Sequence, residues 1–417
     1  MADGPANRSP ARGSHSICVP AAEADYAAVV QDAGRFRAWL AAAARQSPEL
    51  FPDGFSQGFR MKDGRVSKKL GIRLRRIELR DGRAYTVRPS FVTPYLTARV
   101  ADVEDGLLLR KFGVPFWALA RVLGRDPMYW FRLECGLGRN SVVGTTVRQA
   151  KVPGHLLADE HHQTRDGRKV YLATTVGGGC CLGVGVAESA GADDLAAAYG
   201  AFLAEARDVA PDYAPATVNT DGWQGTIAAW AALAPAAVLL RCFLHAWLKV
   251  RDRARNLGQT FYDLSARVWG AYHAPGKRSF AQRVRRLREW AGRAGNVPGV
   301  ALGAVLDLCG KKDLWLAAYD HPGGHRTSNM LDRVMRPMHR YFFDGQHLHG
   351  RNQTGRHARA WALLWNFAPW SPATARANGD WRCPAERLNQ HRYHDDWLQN
   401  LLISASLGGY RQAPQNP

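Results

Sequence analysis

The chain has 417 residues, 46% of them hydrophobic, and sets 56 Lys and Arg against 36 Asp and Glu for a formal charge of +20. That length calls for two to four structural units, and the composition is globular, which excludes a fibrous or wholly disordered chain. The longest apolar stretch, Ala228 to Leu240, is interrupted by Pro235 and is too short to cross a bilayer, so no membrane partner is expected. Only ten of the basic residues are Lys, leaving 46 Arg, whose planar forks suit phosphate oxygens; a polyanionic partner is the expectation. Seven Cys without a regular spacing point to reduced thiols and a cytoplasmic protein.

Residues 1–20, rich in Gly, Pro, Ser and Arg, are expected to be a disordered tail. An N-terminal DNA-binding region is expected over 21–150. It opens with an Ala-rich helical stretch to Ala44. From Arg60 to Arg88 eleven Lys and Arg face three acids, and alternation around Asp81-Gly82 predicts a hairpin. Its Arg73, Arg75 and Arg76 could follow a phosphate backbone, although a solvated ribbon has the same pattern. Between Asp102 and Arg139 three short helices are predicted, the last capped by Asp126 with Pro127 at its first position. Such a group suits a helix-turn-helix, whose second helix enters the major groove, or a plain small bundle.

The centre reads as strand, strand, strand, helix, strand, helix, strand, helix. The segments are 154–160, 169–176, 180–188, 193–209, 216–221, 222–233, 237–242 and 243–254. A meander followed by βαβ connections predicts a mixed five-stranded sheet with helices on both faces. Residues 255–325 read as a helical insertion, with twelve Lys and Arg between Lys249 and Arg293, including Arg285 and Arg286. The core is expected to resume over 326–370 with a helix capped near Thr327 or Ser328 and an aromatic-rich helix at 361–370. A His-rich tail is expected over 371–417.

Phosphodiester cleavage requires an activated oxygen nucleophile and stabilised charge on the attacking and leaving oxygens, which carboxylate-bound divalent ions supply. Asp159 in the first central strand and Asp221 at the end of the fourth would share one rim of such a sheet. Glu160 is a possible substitute for Asp159, but neighbouring strand residues face opposite ways, so only one should reach the site. Asp332, before Arg333 and Arg336 on a helix, reads on its own as an ion-pair former. Cys242 and His245 are too few for a structural zinc site. Cys242 is expected in the core, and His245 to contact DNA or orient an active-site group. His161 and His162 read as loop residues. Trp223 reads as core packing, with stacking at the site as the alternative.

The pieces LLADE (156–160), VNTDGW (218–223), RCFLHAWLK (241–249) and TSNMLDRVMRP (327–337) resemble the DDE/D transposases of bacterial insertion sequences and the related Mutator-like elements. The resemblance covers about half the chain and implies an RNase H-like α/β core. It places the first acid at Asp159, the second 62 residues on at Asp221 and the third, usually Glu, a further 111 on at Asp332. It also implies two Mg²⁺ ions, with Mn²⁺ as a substitute, and a nucleoid-associated enzyme that cleaves DNA at element ends and transfers the strands into target DNA. A homodimer or higher multimer pairing two ends follows from the same likeness. The expected DNA contacts are the hairpin arginines with His245, Lys249, Arg285, Arg286, Arg333, Arg336 and Arg340; His339, Gln346, His347 and His349 flank the third acid. A domesticated DNA-binding protein without activity and an RNase H-like nuclease without joining activity are the alternatives.

Overall fold

The computed structural model describes residues 15–94, 98–344 and 348–410, apart from the side chain of Asp344. Candidates Gln346 and His347, and residues 1–14 of the expected tail, lie outside them.

The N-terminal part is a mixed four-stranded sheet. It contains β1 (Ser16–Val19), helices α1 (Glu23–Val30) and α2 (Ala33–Gln46), then β2 (Phe59–Val66), β3 (Arg73–Leu79) and β4 (Ala84–Pro89). The order is β1-β4-β3-β2, with β1 parallel to β4 and the other pairs antiparallel. The predicted hairpin is β3–β4. Gly82 supplies the left-handed turn at φ +81°, and the Asp81 carboxylate accepts the Arg83 N–H at 2.9 Å. The expected disorder of residues 1–20 is corrected from Ser16 onward. Ile17, Cys18 and Val19 are buried against Tyr26, Phe36, Ile77 and Val87, because β4 offers them a strand edge and a greasy face.

Next come α3 (Glu104–Lys111), α4 (Phe116–Leu123), α5 (Pro127–Leu137) and the short α6 (Val142–Thr146). Asp126 caps α5 as predicted, accepting the Met128 N–H, with Pro127 at the first turn. The last two of the three predicted helices differ in exposure. The last helix, α5, is committed to the interior through Trp130, Leu133, Leu137 and the fully buried Glu134. The exposed helix is α4, which buries only Leu119 and leaves Trp117 and Val122 in solvent.

The central sheet comprises β5 (His155–Arg165), β6 (Arg168–Gly177), β7 (Cys180–Ala187), β8 (Thr217–Thr220) and β9 (Val238–Arg241), with α7 (Ala192–Val209), α8 (Gln224–Leu233) and α9 (Phe243–Ala254) between and after them. Its order is β7-β6-β5-β8-β9: an antiparallel meander extended by parallel β8 and β9. Asp166 and Gly167, at φ +48° and +75°, make the tight β5–β6 turn. Helix α7 rests directly on β7, where a Cβ on Gly185 would fall 2.2 Å from the Ala198 carbonyl oxygen.

The insertion is helical as expected: α10 (Gln259–Tyr272), α11 (Lys277–Ala291), α12 (Gly299–Gly310) and α13 (Asp313–Leu316). Its separate apolar core is rooted on Phe243, Trp247 and Val250 of α9. Helices α14 (Asn329–Asp344) and α15 (Arg351–Phe367) then return to cover the sheet face opposite α7 and α8. Leu331, Val334 and Met338 of α14 share a core with Leu157 of β5.

Residues 371–410 are not a tail. They form α16 (Pro372–Arg376), α17 (Pro384–Asn389), α18 (Trp397–Ser404) and a last 3-10 turn, with Leu398, Leu401, Leu402 and Ile403 fully buried. The Cys18 N–H donates to Ser406 Oγ at 3.0 Å, and Ser406 in turn donates to the Leu50 carbonyl. The whole is a mixed α/β protein with two open sheets, and among its described residues no helix is long and apolar enough to cross a membrane.

Candidate active site

Where two parallel strands separate at the end of their pairing, side chains from both can meet above the gap. Strands β5 and β8 pair through His155–Thr217, Leu156–Val218 and Leu157–Asn219, partners 62 positions apart. Asp159 and Asp221 are also 62 apart, so this register carries them to facing positions just past the last β8 residue. Beyond that point β5 continues against β6 alone. Gly222, at φ +103°, turns the chain away from β8, and the Asp221 carboxylate accepts the Trp223 N–H at 2.8 Å.

The two neighbouring acids of β5 separate by face. Glu160 points to the α7 and α8 side, where its Oε1 accepts hydrogen bonds from Tyr199 and Thr226, each at 2.6 Å. Burial dominates there and lifts its carboxyl above the ordinary range despite those bonds. Asp159 shares the Leu157 face, toward α14. Burial, then the charge of Asp221, pushes its carboxyl up to about 7, against a backbone N–H from Glu160 and the nearby His245. The adjacency ambiguity therefore resolves as pleating requires, with Glu160 engaged elsewhere.

His245 is one turn into α9 and feels both carboxylates. Its hydrogen bond with Cys242 raises it to about 9, outweighing burial, with Cys242, Asp159 and Asp221 adding negative charge. Burial alone would raise the Cys242 thiol, yet bonds with His245 and Ser328 bring it below its ordinary value. Cys242 is a core residue, as expected, but its sulfur also accepts the Ser328 N–H at 3.2 Å. Asp332 stands in the first turn of α14, where its Oδ2 accepts the Ser328 hydroxyl at 3.0 Å. Asp159, Asp221 and His245 thus lie within reach of one another's charge, and Asp332 is linked through Ser328 to Cys242, three positions before His245. Among the described residues, no three acidic, His or Cys side chains already converge as a closed ligand set.

The expected DNA contacts fall into two groups. Lys249, one turn beyond His245 on α9, is exposed, as are Arg333, Arg336 and Arg340 on α14. Arg285 and Arg286 are exposed on α11, Arg285 within reach of Glu289 at 3.5 Å. Two of the three hairpin arginines are occupied. Arg75 donates to the Val30 and Gln31 carbonyls, Arg76 pairs with Asp63, and the Arg73 Nε is buried within the sheet. Arg75 and Arg76 serve the N-terminal fold, because β3 is an inner strand of its sheet, between β4 and β2, rather than a free ribbon.

Three residues near the site were misjudged from sequence. His161 and His162 lie in strand, since β5 runs on to Arg165, and His161 meets His339 of α14 at 2.8 Å. Period-two alternation with Asp159 was the available signal. Trp223 is 38% exposed against Tyr171, not core, because it sits ahead of the first helical turn of α8. Comparison with protein-family models finds no match for this chain, and comparison with curated proteins finds none either.

Proposed function

We propose that the protein is a DNA transposase with an RNase H-like core, whose Asp159, Asp221 and Asp332 hold divalent metal for strand cleavage and strand transfer. The observation that carries the reading is the 62-residue offset of the β5–β8 register, which matches the spacing of Asp159 on β5 and Asp221 just past β8 in a β7-β6-β5-β8-β9 sheet. The strand order and directions are those expected of an RNase H-like sheet.

The donors suit a hard cation. All three are carboxylates, and the burial and neighbouring Asp221 charge that push Asp159 up to about 7 mark a place where added positive charge is favoured. Mg²⁺, or Mn²⁺ in its stead, would be held by Asp159, Asp221 and Asp332 as two ions. Bound there, the metal would supply activation of water or a 3′-hydroxyl and neutralisation of charge on the phosphate oxygens. The chain's own contribution is placement. Gly222 turns the backbone away beside Asp221, and His245 holds a compensating positive charge against Asp159 and Asp221. Lys249 and the α14 arginines Arg333, Arg336 and Arg340 offer exposed cations to a phosphate backbone, and a formal charge of +20 favours DNA association. Pairing of two DNA ends by a homodimer or higher multimer belongs to the same reading.

The test is cleavage and joining of DNA carrying the element ends, with Mg²⁺ or Mn²⁺, by the wild type and Asp221→Asn. Loss of both activities in the variant by on the order of a hundredfold or more is expected. Unchanged cleavage would overturn the mechanism, and cleavage without any joined product would favour a nuclease.

A further inference from the structure

Asp332 comes from a helix rather than from the sheet, so something must set it relative to the acids of β5 and β8. The chain just before α14 is bound on two sides. The Asn219 amide of β8 donates to the His325 carbonyl at 2.8 Å, and the Phe243 N–H at the start of α9 donates to the Arg326 carbonyl at 3.0 Å. Ser328 follows, 2% exposed. Its N–H donates to the Cys242 sulfur at 3.2 Å, while its hydroxyl donates to Asp332 Oδ2 at 3.0 Å. A serine at a helix start ordinarily accepts a backbone N–H of the first turn through its hydroxyl. Here the hydroxyl also donates to a carboxylate one turn on, a bond that helix capping does not call for. Cys242, equally buried, precedes α9 by one residue, three positions before His245, whose positive charge is favoured by Cys242, Asp159 and Asp221. Two hydrogen bonds therefore tie the helix-borne acid to the residue before α9, the helix whose His245 feels the charge of the strand-borne pair.

We infer that Ser328 and Cys242 are positioning residues that orient Asp332 toward Asp159 and Asp221 and thereby complete the metal-binding set. Ser328 takes one carboxylate oxygen and leaves the other to a cation, and Cys242 anchors the Ser328 backbone. This inference rests on the metal-site reading proposed above. Partners of this kind typically change metal affinity ten- to a hundredfold when removed.

The test is direct Mn²⁺ binding by the full-length protein without DNA, read from the electron paramagnetic resonance signal of free Mn²⁺, with circular dichroism to verify the fold. Ser328→Ala and Cys242→Ala are expected to weaken binding about tenfold or more, while Ser328→Thr, which keeps the hydroxyl, stays near wild type. If Cys242→Ala unfolds, the Ser328→Ala and Ser328→Thr pair decides alone. Wild-type affinity in folded Ser328→Ala, with binding lost in Asp221→Asn, would overturn the positioning role and leave the metal site standing. Failure of the wild type to take up Mn²⁺, or full binding by Asp221→Asn, would overturn both.

Discussion

Beneath α14 lies a buried ionic cluster that ought to dominate the response to acid. Glu134 of α5 is fully buried, and Arg110 of α3 donates to it at 2.6 Å. Tyr341 of α14 donates to the same carboxylate, and His357 of α15 lies 3.0 Å away. Burial alone would lift the Glu134 carboxyl, but Arg110 and His357 hold it down at about 2. Relative to an ordinary value of 4.5, that depression is worth roughly 3 kcal/mol of stability. Because the folded value lies below the unfolded one, the contribution is fully present above pH 4.5 and is lost as pH falls through 2. Glu134→Gln leaves the Arg110 guanidinium buried without its counter-charge, a change that costs about 3–5 kcal/mol at neutral pH. Urea unfolding followed by circular dichroism should show that deficit at pH 7 and its disappearance toward pH 2. Adding Arg110→Met should recover much of the loss, since the stranded charge is then gone. A deficit below about 1 kcal/mol at pH 7, or one that persists unchanged at pH 2, would refute the assignment.

Three other outcomes follow from the structure. Asp159 is raised from 3.8 to about 7, so its folded-state penalty is absent below the unfolded value and grows as pH rises through 7. With chelator present, Asp159→Asn should therefore melt higher than wild type at pH 8, by no more than about 4 kcal/mol in stability, and match it near pH 4; equal melting at pH 8 would count against the crowded pair. Gly222→Ala demands a side chain at φ +103° and puts a Cβ 2.5 Å from Arg241 Nη1, so urea unfolding should register a loss of about 1–3 kcal/mol; wild-type stability would contradict it. Removing residues 397–410 deletes α18 and the partners of β1, and size-exclusion chromatography should find aggregate or no soluble protein, whereas a folded monodisperse product would show those contacts to be dispensable.

Elements whose partners are close in the chain were readable from pattern alone. Asp81-Gly82 and Asp166-Gly167 announced their hairpins, and the order of strands and helices from 154 to 254 was recovered because each apolar run is bounded by a turn or a cap. The distance between Asp159 and Asp221 turns out to equal the offset of the β5–β8 register. Elements completed from afar were not readable. The segment SICV is short and follows a polar stretch, and only β4 and the C-terminal turn make it a buried strand. Strand β2 exposes five of its final residues in succession, so it has little apolar alternation to detect. The buried role of Glu134 depends on Tyr341, 207 positions away, which no helix period in α5 can indicate.

The bond between Cys18 and Ser406 spans 388 positions, nearly the length of the described chain. Its consequence is temporal. During synthesis the central sheet has all its strands once Arg241 is made, whereas the Cys18 N–H of β1 must await Ser406. Closing so long a loop is entropically unfavourable and late, which separates assembly of the proposed catalytic sheet from consolidation of the N-terminal one. A ribosome stalled shortly before the last helix would thus carry a chain able to build the acidic rim while its opening strand still lacks the C-terminal turn.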